Sequence, residues 1–391
     1  MTIATRTAAA ALSLFVLSCS KSRAPAKPLA PPASGALTSD CTGVVPDAAA
    51  LTAHYSIVQT HGSATGCLTQ DGDGNGAIAT ALYNFPFDVF NWTSRDEASG
   101  EVYGTLGAPQ FLLAQNDGFL GLTGTHHNEP LDLHAWNEDG TGRGVVNLAP
   151  HIDQLVYRAA VDPTGGALVV LSKKTGGTWN VSGQLFDDAA NDNSGKQVVA
   201  TGAGAAPQFV GAGVDLLGNA LIAWDGHPQG FAAGTLLGVW MDQGGNLLTD
   251  VFVVATGIDP AYEPRFLPLA ENEGLALENK GIWRAQIADL STTPAPAPAF
   301  LLARPNTSFA LIRSGNAYAV WSEANFDLGT CEQRVETYAS AGNLCGHVSL
   351  RSAPGPCGQD RLKVTRDGTG IDLFQNAANQ CTWKVYPLLF N

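Results

Sequence analysis

The sequence predicts an all-β repeat protein. Three observations carry this. Many short runs rich in Val, Leu, Phe, Trp and Thr are punctuated by Gly, Asn and Asp, the pattern of strands and turns, and no long Glu/Lys-rich helical pattern interrupts them. The composition agrees, with 44 glycines, 2 methionines and only 14% charged residues among 391. A turn glycine recurs at Gly74, Gly118, Gly165, Gly218, Gly274, Gly315 and Gly370, with spacings of 44, 47, 53, 56, 41 and 55.

The chain begins with one basic residue, Arg6, and the apolar run AAAALSLFVLS at 8–18. That run is about half the roughly 20 residues a spanning helix needs, so it reads as an export signal. Val16, Leu17 and Ser18 lead directly into Cys19. The stretch resembles the lipobox of bacterial lipoproteins, in which the cysteine is lipidated and becomes the mature N-terminus. Leu17 departs from the pattern, a small residue being commoner there. The resemblance implies a signal peptide over 1–18, a palmitate-type lipid on Cys19 and a membrane contact through that lipid alone. Ser20, standing where an aspartate would signal inner-membrane retention, implies the outer membrane. An ordinary secretory signal cleaved elsewhere is the alternative. Residues 20–38 are rich in Ala, Pro and Ser, a tether composition, so 19–53 reads as a lipidated tether and entry segment. The repeat domain is expected over 54–391.

A stretch of that length is too long for one ordinary two-layer domain, whereas a repeat architecture can be that long and remain one unit. The net charge of −14 excludes a nucleic-acid partner, because phosphate binding needs clustered Lys and Arg. Seven cysteines become six if Cys19 takes lipid: Cys41, Cys67, Cys331, Cys345, Cys357 and Cys381. An even number in an exported chain suggests disulfides. Cys357–Cys381 flanks the DGTG turn symmetrically, Cys331–Cys345 is the next local pair, though not directly opposite in register, and Cys41–Cys67 remains.

Three segments align: APQFLLAQNDGFLGL at 108, APQFVGAGVDLLGNALIAW at 206 and EPRFLPLAENEGLAL at 263. Looser copies are RAAVDPTGGALVVL at 158, SFALIRSGNAYAVW at 308 and RLKVTRDGTGIDLF at 361. Between them an aromatic-ended strand runs into a second polar turn, as in HAWNEDGTG at 134 and GVWMDQGGN at 238. Each repeat therefore holds four strands, a to d. A four-stranded period of this length resembles the blade of a β-propeller, which implies about seven blades. The last repeat stops at strand c, in CTWKVYPLLFN, and the strand HYSIVQT at 54–60 has no blade of its own. If it supplies the missing strand d, the ring closes. Another solenoid or sandwich β architecture is the alternative. The blades lack the WD dipeptide, the kelch di-glycine and the sialidase aspartate box, so no specific family is implied.

Register sorts the loops. The a–b and c–d turns share one face, and the b–c and d–a connections share the other, where longer, varied loops gather binding residues. Tyr83, Phe85, Phe87, His126, His127, Glu129, His227, Phe231, Tyr262, Glu263 and Phe326 are the candidates there for a glycan or protein ligand. His126, His127 and Glu129, with His134 nearby, form a weak metal candidate, because adjacent residues on an extended segment point apart. Tyr262, Glu263 and Arg265 resemble part of a sialidase site, without its other arginines. Neither a G-x-S-x-G elbow, a phosphate loop, nor a dinucleotide fingerprint is present, and no catalytic residue is assigned. The stretch DGDGNG at 71–76 opens like a calcium loop through Asp71, Asp73 and Asn75, but position 82, where a bidentate Glu belongs, is Leu82. Aligned with DLLGN at 215–219 it reads as a hairpin turn. No cofactor is expected beyond that weak calcium candidate. The expectation is a monomeric, lipid-anchored envelope protein that binds or scaffolds, with a glycan or polymer hydrolase or lyase as the alternative.

Overall fold

The computed structural model describes most of residues 55–386, continuously over 155–269; residues 1–54, 387–391 and several connecting loops lie outside the described residues. The chain enters on β1 (Tyr55–Thr60). The first sheet comprises β2 (Thr65–Thr69), β3 (Ala77–Asn84), β4 (Val89–Asp96) and β5 (Val102–Thr105). The second is β6 (Phe111–Gln115), β7 (Gly118–Thr123), β8 (Leu131–Trp136) and β9 (Gly142–Ala149). The third is β10 (Leu155–Val161), β11 (Ala167–Thr175), β12 (Thr178–Phe186) and β13 (Gln197–Ala203). The fourth is β14 (Val210–Val214), β15 (Ala220–Asp225), β16 (Leu236–Met241) and β17 (Phe252–Ala255). The fifth holds β18 (Arg265–Pro268), β19 (Leu275–Asn279) and β20 (Ile282–Ile287), with the short helix α1 (Ala299–Leu302) after it. The sixth is β21 (Ser308–Leu311), β22 (Ala317–Asn325), β23 (Thr330–Tyr338) and β24 (Leu344–Pro354). The last is β25 (Arg361–Val364), β26 (Gly370–Gln375) and β27 (Gln380–Tyr386), and β1 occupies its fourth position.

Every sheet is an antiparallel meander with its own strands in chain order. The N-terminal strand joins the C-terminal one in a six-residue ladder from Tyr55↔Val385 to Thr60↔Gln380. The fifth repeat departs from the four-strand expectation. Its fourth strand shrinks to a single bridge, Gln286↔Ala295, with reciprocal backbone bonds of 2.8 Å. Pro294, Pro296 and Pro298 alternate around Ala295, and proline has no N–H to donate to a ladder.

The apolar runs are continuous because the first five sheets bury both faces. On β11, Leu168 and Val170 face the fourth sheet, where they meet Val210, Ile222 and Trp224. Between them Ala167, Val169 and Leu171 face the second sheet and meet Leu120, Leu122 and Leu133. Period-two alternation divides one run between two interfaces. The same device serves β15, whose Leu221 and Ala223 pack with Leu275 and Leu277 of the fifth sheet. Trp92 joins the first sheet to Phe119 and Trp136 of the second, and its indole N–H donates to the Pro109 carbonyl at 3.0 Å. Trp283 of the fifth sheet packs with Leu301 of α1 and Tyr338 of the sixth. Ile78 of the first sheet packs with Ile371, Leu373 and Trp383 of the last. Six successive sheet-to-sheet cores are thus described, including the one between the last sheet and the first. First strands also touch in series, β6 on β10, β10 on β14 and β14 on β18. The arrangement is β-propeller-like, with first strands innermost.

The turns are set by Asp, Asn and Gly. In DLLGN, Asp215 Oδ1 accepts the backbone N–H groups of Leu217 and Asn219 at 2.9 and 2.8 Å, and Asn219 Nδ2 donates to Oδ2 at 3.0 Å. Gly218 takes φ 84° there, a value that a side chain would strain. Asp242 receives Asn246 in the same way, through its backbone N–H and its side chain, both at 2.8 Å.

Register corrects one cysteine pairing. Cys331 lies opposite Ala353, whereas Cys345 comes directly after Leu344, the partner of Tyr338. The two are about 20 Å apart along the ladder at strand rise, far beyond the roughly 7 Å span of a disulfide. Cys331–Cys345 is therefore ruled out as a local pair.

Candidate functional site

Two faces emerge from the meanders, and they differ in chemistry. The a–b and c–d turns knit one face together. Arg143 pairs with Asp188 of the next sheet at 3.1 Å, and Gln243 donates to Thr164 at 3.0 Å. Its aspartates are occupied as turn acceptors. Hydrogen bonds from the Thr141 side chain and backbone hold the Asp139 carboxyl below its usual range, and those from Asn246 do the same for Asp242. A carboxylate lowered by folding stabilises the fold above its unfolded pKa and loses that contribution as pH falls through the folded value. The expected result is a melting temperature that declines as pH drops below the ordinary carboxylate range. The decline should be shallower in Asp242→Asn, which thermal melts between pH 7 and pH 2 measure.

The other face holds the b–c and d–a loops, and around the fourth and fifth sheets they form one framework. Ile258 N–H donates to the Gly234 carbonyl at 2.9 Å, tying the β15–β16 loop to the β17–β18 loop. Trp224 Nε1 donates to Gln229 Oε1 at 2.8 Å, and Asp225 accepts the His227 N–H at 3.0 Å. On this frame His227 is exposed, and Phe231 is 44% exposed. Buried Asn279 sets the second loop: its Oδ1 accepts from Asp259 N at 2.9 Å, and its Nδ2 donates to the Tyr262 carbonyl at 2.7 Å. Lys280 pairs with Asp259 at 2.9 Å, and its ammonium lies 5.3 Å from the centre of the exposed Tyr262 ring.

Glu263 turns the other way and forms an ion pair with Arg158 of β10. The Arg158 guanidinium also donates through Nη1 to the Tyr157 carbonyl, and its Nε is buried without a hydrogen-bond partner. Burial pulls the Arg158 pKa below its usual value; Tyr157 works against this, and the like charge of Arg265 adds to it.

Of the expected site residues, Tyr262 and Glu263 share one loop, and His227 and Phe231 share the loop bonded to it. Glu129 is half-buried just before β8. Tyr83 lies in β3 near the end leading to this face. Phe85, Phe87, His126, His127 and Phe326 lie outside the described residues, as do Asp71, Asp73 and Asn75 of the calcium candidate. His134 stands in β8, its ring 5.4 Å from that of Trp136 and stacked on it. Burial lowers its pKa, against the opposing charge of Asp132. Among the described residues no group of three or more His, Cys, Asp or Glu could hold a metal. Tyr262 and Glu263 diverge to Lys280 and Arg158, so the sialidase-like trio does not converge. Sequence reasoning missed Arg158, Asn279 and Lys280. One signal for Arg158 was visible: a single charge within the otherwise uncharged strand LVYRAAV.

No protein-family model matches the chain, and comparison with curated proteins finds no match. Among solved structures it is similar to the β-propeller domain of the Trilobed protease from Pyrococcus furiosus, at 8% identity over 84% of this chain and 97% of that one, TM-score 0.46. It is similar to a prolyl endopeptidase at 12% identity over 88% of this chain, TM-score 0.48, and spans about half (48%) of that protein's length. It is also similar to an ulvan lyase of a polysaccharide lyase family, at 9% identity over 85% of this chain and 96% of that one, TM-score 0.44.

Proposed function

We propose that this protein is a seven-bladed β-propeller, its ring closed by β1, that is held at the outer membrane by lipid on Cys19. Its role is to bind or scaffold a glycan or protein ligand at the b–c/d–a face. The framework around the fourth and fifth sheets carries this reading. It presents Phe231, Tyr262 and His227 to solvent from loops fixed by Asn279, Trp224 and the Gly234–Ile258 bond. Rigid loops bearing exposed rings lose little entropy on binding. Export is supported by the signal-like N-terminus and by the even number of cysteines left once Cys19 takes lipid. The hydrolase or lyase alternative gains nothing from Glu263, whose carboxylate is engaged by Arg158.

The test screens the full-length protein against envelope glycans and extracted envelope proteins, then repeats the measurement with Phe231→Ala and Tyr262→Ala. Truncating a central aromatic anchor costs about 2 kcal/mol or more, so affinity should fall by at least about tenfold, with unchanged melting. Binding that neither substitution weakens would place the ligand elsewhere.

A further inference from the structure

The strand β20 carries a β-bulge. Asn279 lies opposite Ile282 and Glu278 opposite Trp283, but Leu277 lies opposite Ala285, so Arg284 is the extra residue. The bulge exchanges the two faces of the strand. Trp283 packs with Leu301 and Tyr338 toward the sixth sheet, whereas Ile287, four residues on, packs with Leu221 and Phe252 of the fourth. Without an extra residue, period-two alternation would put both on one face. The bulge also aims Arg284 at the loop after β17. A Cβ built on Gly257 would lie 4.0 Å from Arg284 Nη1 and would meet no other group beyond its own chain neighbours. Gly257 is exposed and takes φ 71°. The strand begins directly after the turn at Lys280 and Gly281, so this guanidinium stands at the b–c/d–a face.

The protein spends none of this guanidinium on itself. Nε is buried without an acceptor, and neither terminal nitrogen bonds or ion-pairs with a described residue. A guanidinium presents five N–H donors in a planar fork that matches a carboxylate. The carboxylates nearby are committed elsewhere: Asp259 to Lys280 at 2.9 Å, Glu278 to the Gly281 backbone N–H, and Glu263 to Arg158. The exposed side chains of the same hairpin and the loop bonded to it are apolar or aromatic. Ile282 stands two residues before Arg284, and Asn279, opposite Ile282, holds the Tyr262 carbonyl.

We propose that Arg284 binds an Asp or Glu side chain of a partner protein, whose neighbouring apolar residues rest on Ile282 and Tyr262. This rests on the reading that the b–c/d–a face binds a ligand, and it narrows that ligand to a protein. A glycan presents many hydroxyls, which need carboxylate or amide oxygens to accept them, and the carboxylates at this corner are already taken. An arginine among exposed aromatic and aliphatic side chains is the composition of a protein-interface centre. Charge adds selection. A chain of net charge −14 repels an acidic partner as a whole, so a cation without a carboxylate of its own fixes where that partner docks.

Peptide display on the full-length protein tests this with two libraries, one with a central Asp between random residues and one with a central Asn. The Asp library should yield binders with Leu, Ile, Phe or Tyr beside the Asp, and the Asn library should not. Titration calorimetry then compares the best peptide, its Asn counterpart, oligogalacturonate and a neutral oligosaccharide. Loss of the peptide carboxylate and Arg284→Ala should each weaken binding by at least about tenfold, the scale of one lost charge-assisted contact. Gly257→Asn should weaken it as well. Asparagine accepts a positive φ, and its side-chain oxygen would compete for Nη1. Gly257 is exposed, so its variant reports even if Arg284→Ala fails to fold. The proposal is overturned if both variants bind the peptide as wild type does, if the Asn library yields binders as tight, if oligogalacturonate binds better than any peptide, or if neither library yields a binder. Saccharide binding that Phe231→Ala and Tyr262→Ala abolish and Arg284→Ala leaves intact would overturn it while preserving the binding-face reading.

Discussion

A chain lacking residues 55–60 should unfold at markedly lower denaturant than the intact protein and should associate as its concentration rises. The β1–β27 ladder pairs six residues of the N-terminal strand with Gln380–Val385. Each lost backbone bond is worth about 1 kcal/mol net, so several together amount to roughly 3 kcal/mol or more. Deletion also strips the outer neighbour from β27, whose Trp383, Val385 and Tyr386 are buried. An uncovered strand of that kind is a template for other chains. The measurements are denaturant midpoints and light scattering over a concentration series. A deleted chain with the same midpoint and no association would show that β1 adds nothing to the fold, and the closed ring would be abandoned.

Trp224→Ala should be the most damaging single substitution in the fourth sheet, at about 3–5 kcal/mol. Trp224 is fully buried and belongs to the core shared with Leu168, Val170 and Trp179 of the third sheet. Its indole also holds Gln229, and with it the turn that presents His227 and Phe231. Trp224→Phe separates the two roles. It keeps most of the packing and loses only the hydrogen bond, so it should cost less stability while speeding hydrogen exchange at 227–231. Val198→Ala, on an exposed stretch of β13, is the control and should stay within about 0.5 kcal/mol of wild type. If all three melt together, the inter-sheet core is misplaced.

Much of the fold was legible because its determinants are local. ALVVL and ALIAW announce strands buried on both faces, and DLLGN announces a hairpin turn whose Asp, Gly and Asn act within five residues. The terminal pairing was also legible, since a repeat lacking its fourth strand and a strand lacking a repeat account for each other. The fourth strand of the fifth repeat was not, although Pro294, Pro296 and Pro298 stood in plain view. Repeat logic supplied a strand that the chemistry of proline reduces to one bridge.

The candidate site was legible only in part. Tyr262, Glu263, His227 and Phe231 were placed on one common face by counting strands, because antiparallel meanders return every second connection to the same side. Their partners were not found. Asn279 and Lys280 read as an ordinary tight turn, yet they fix the Asp259–Tyr262 loop.

The sequence by itself determined most of the strands and turns and the shared face of the loops after β15 and β17, since backbone conformation and side-chain alternation depend on near neighbours. Only the tertiary structure decided that Arg158 meets Glu263, more than a hundred residues away. That contact depends on how closely three inner strands approach, which Gly211, Ala212 and Gly213 set by the volume they leave unfilled.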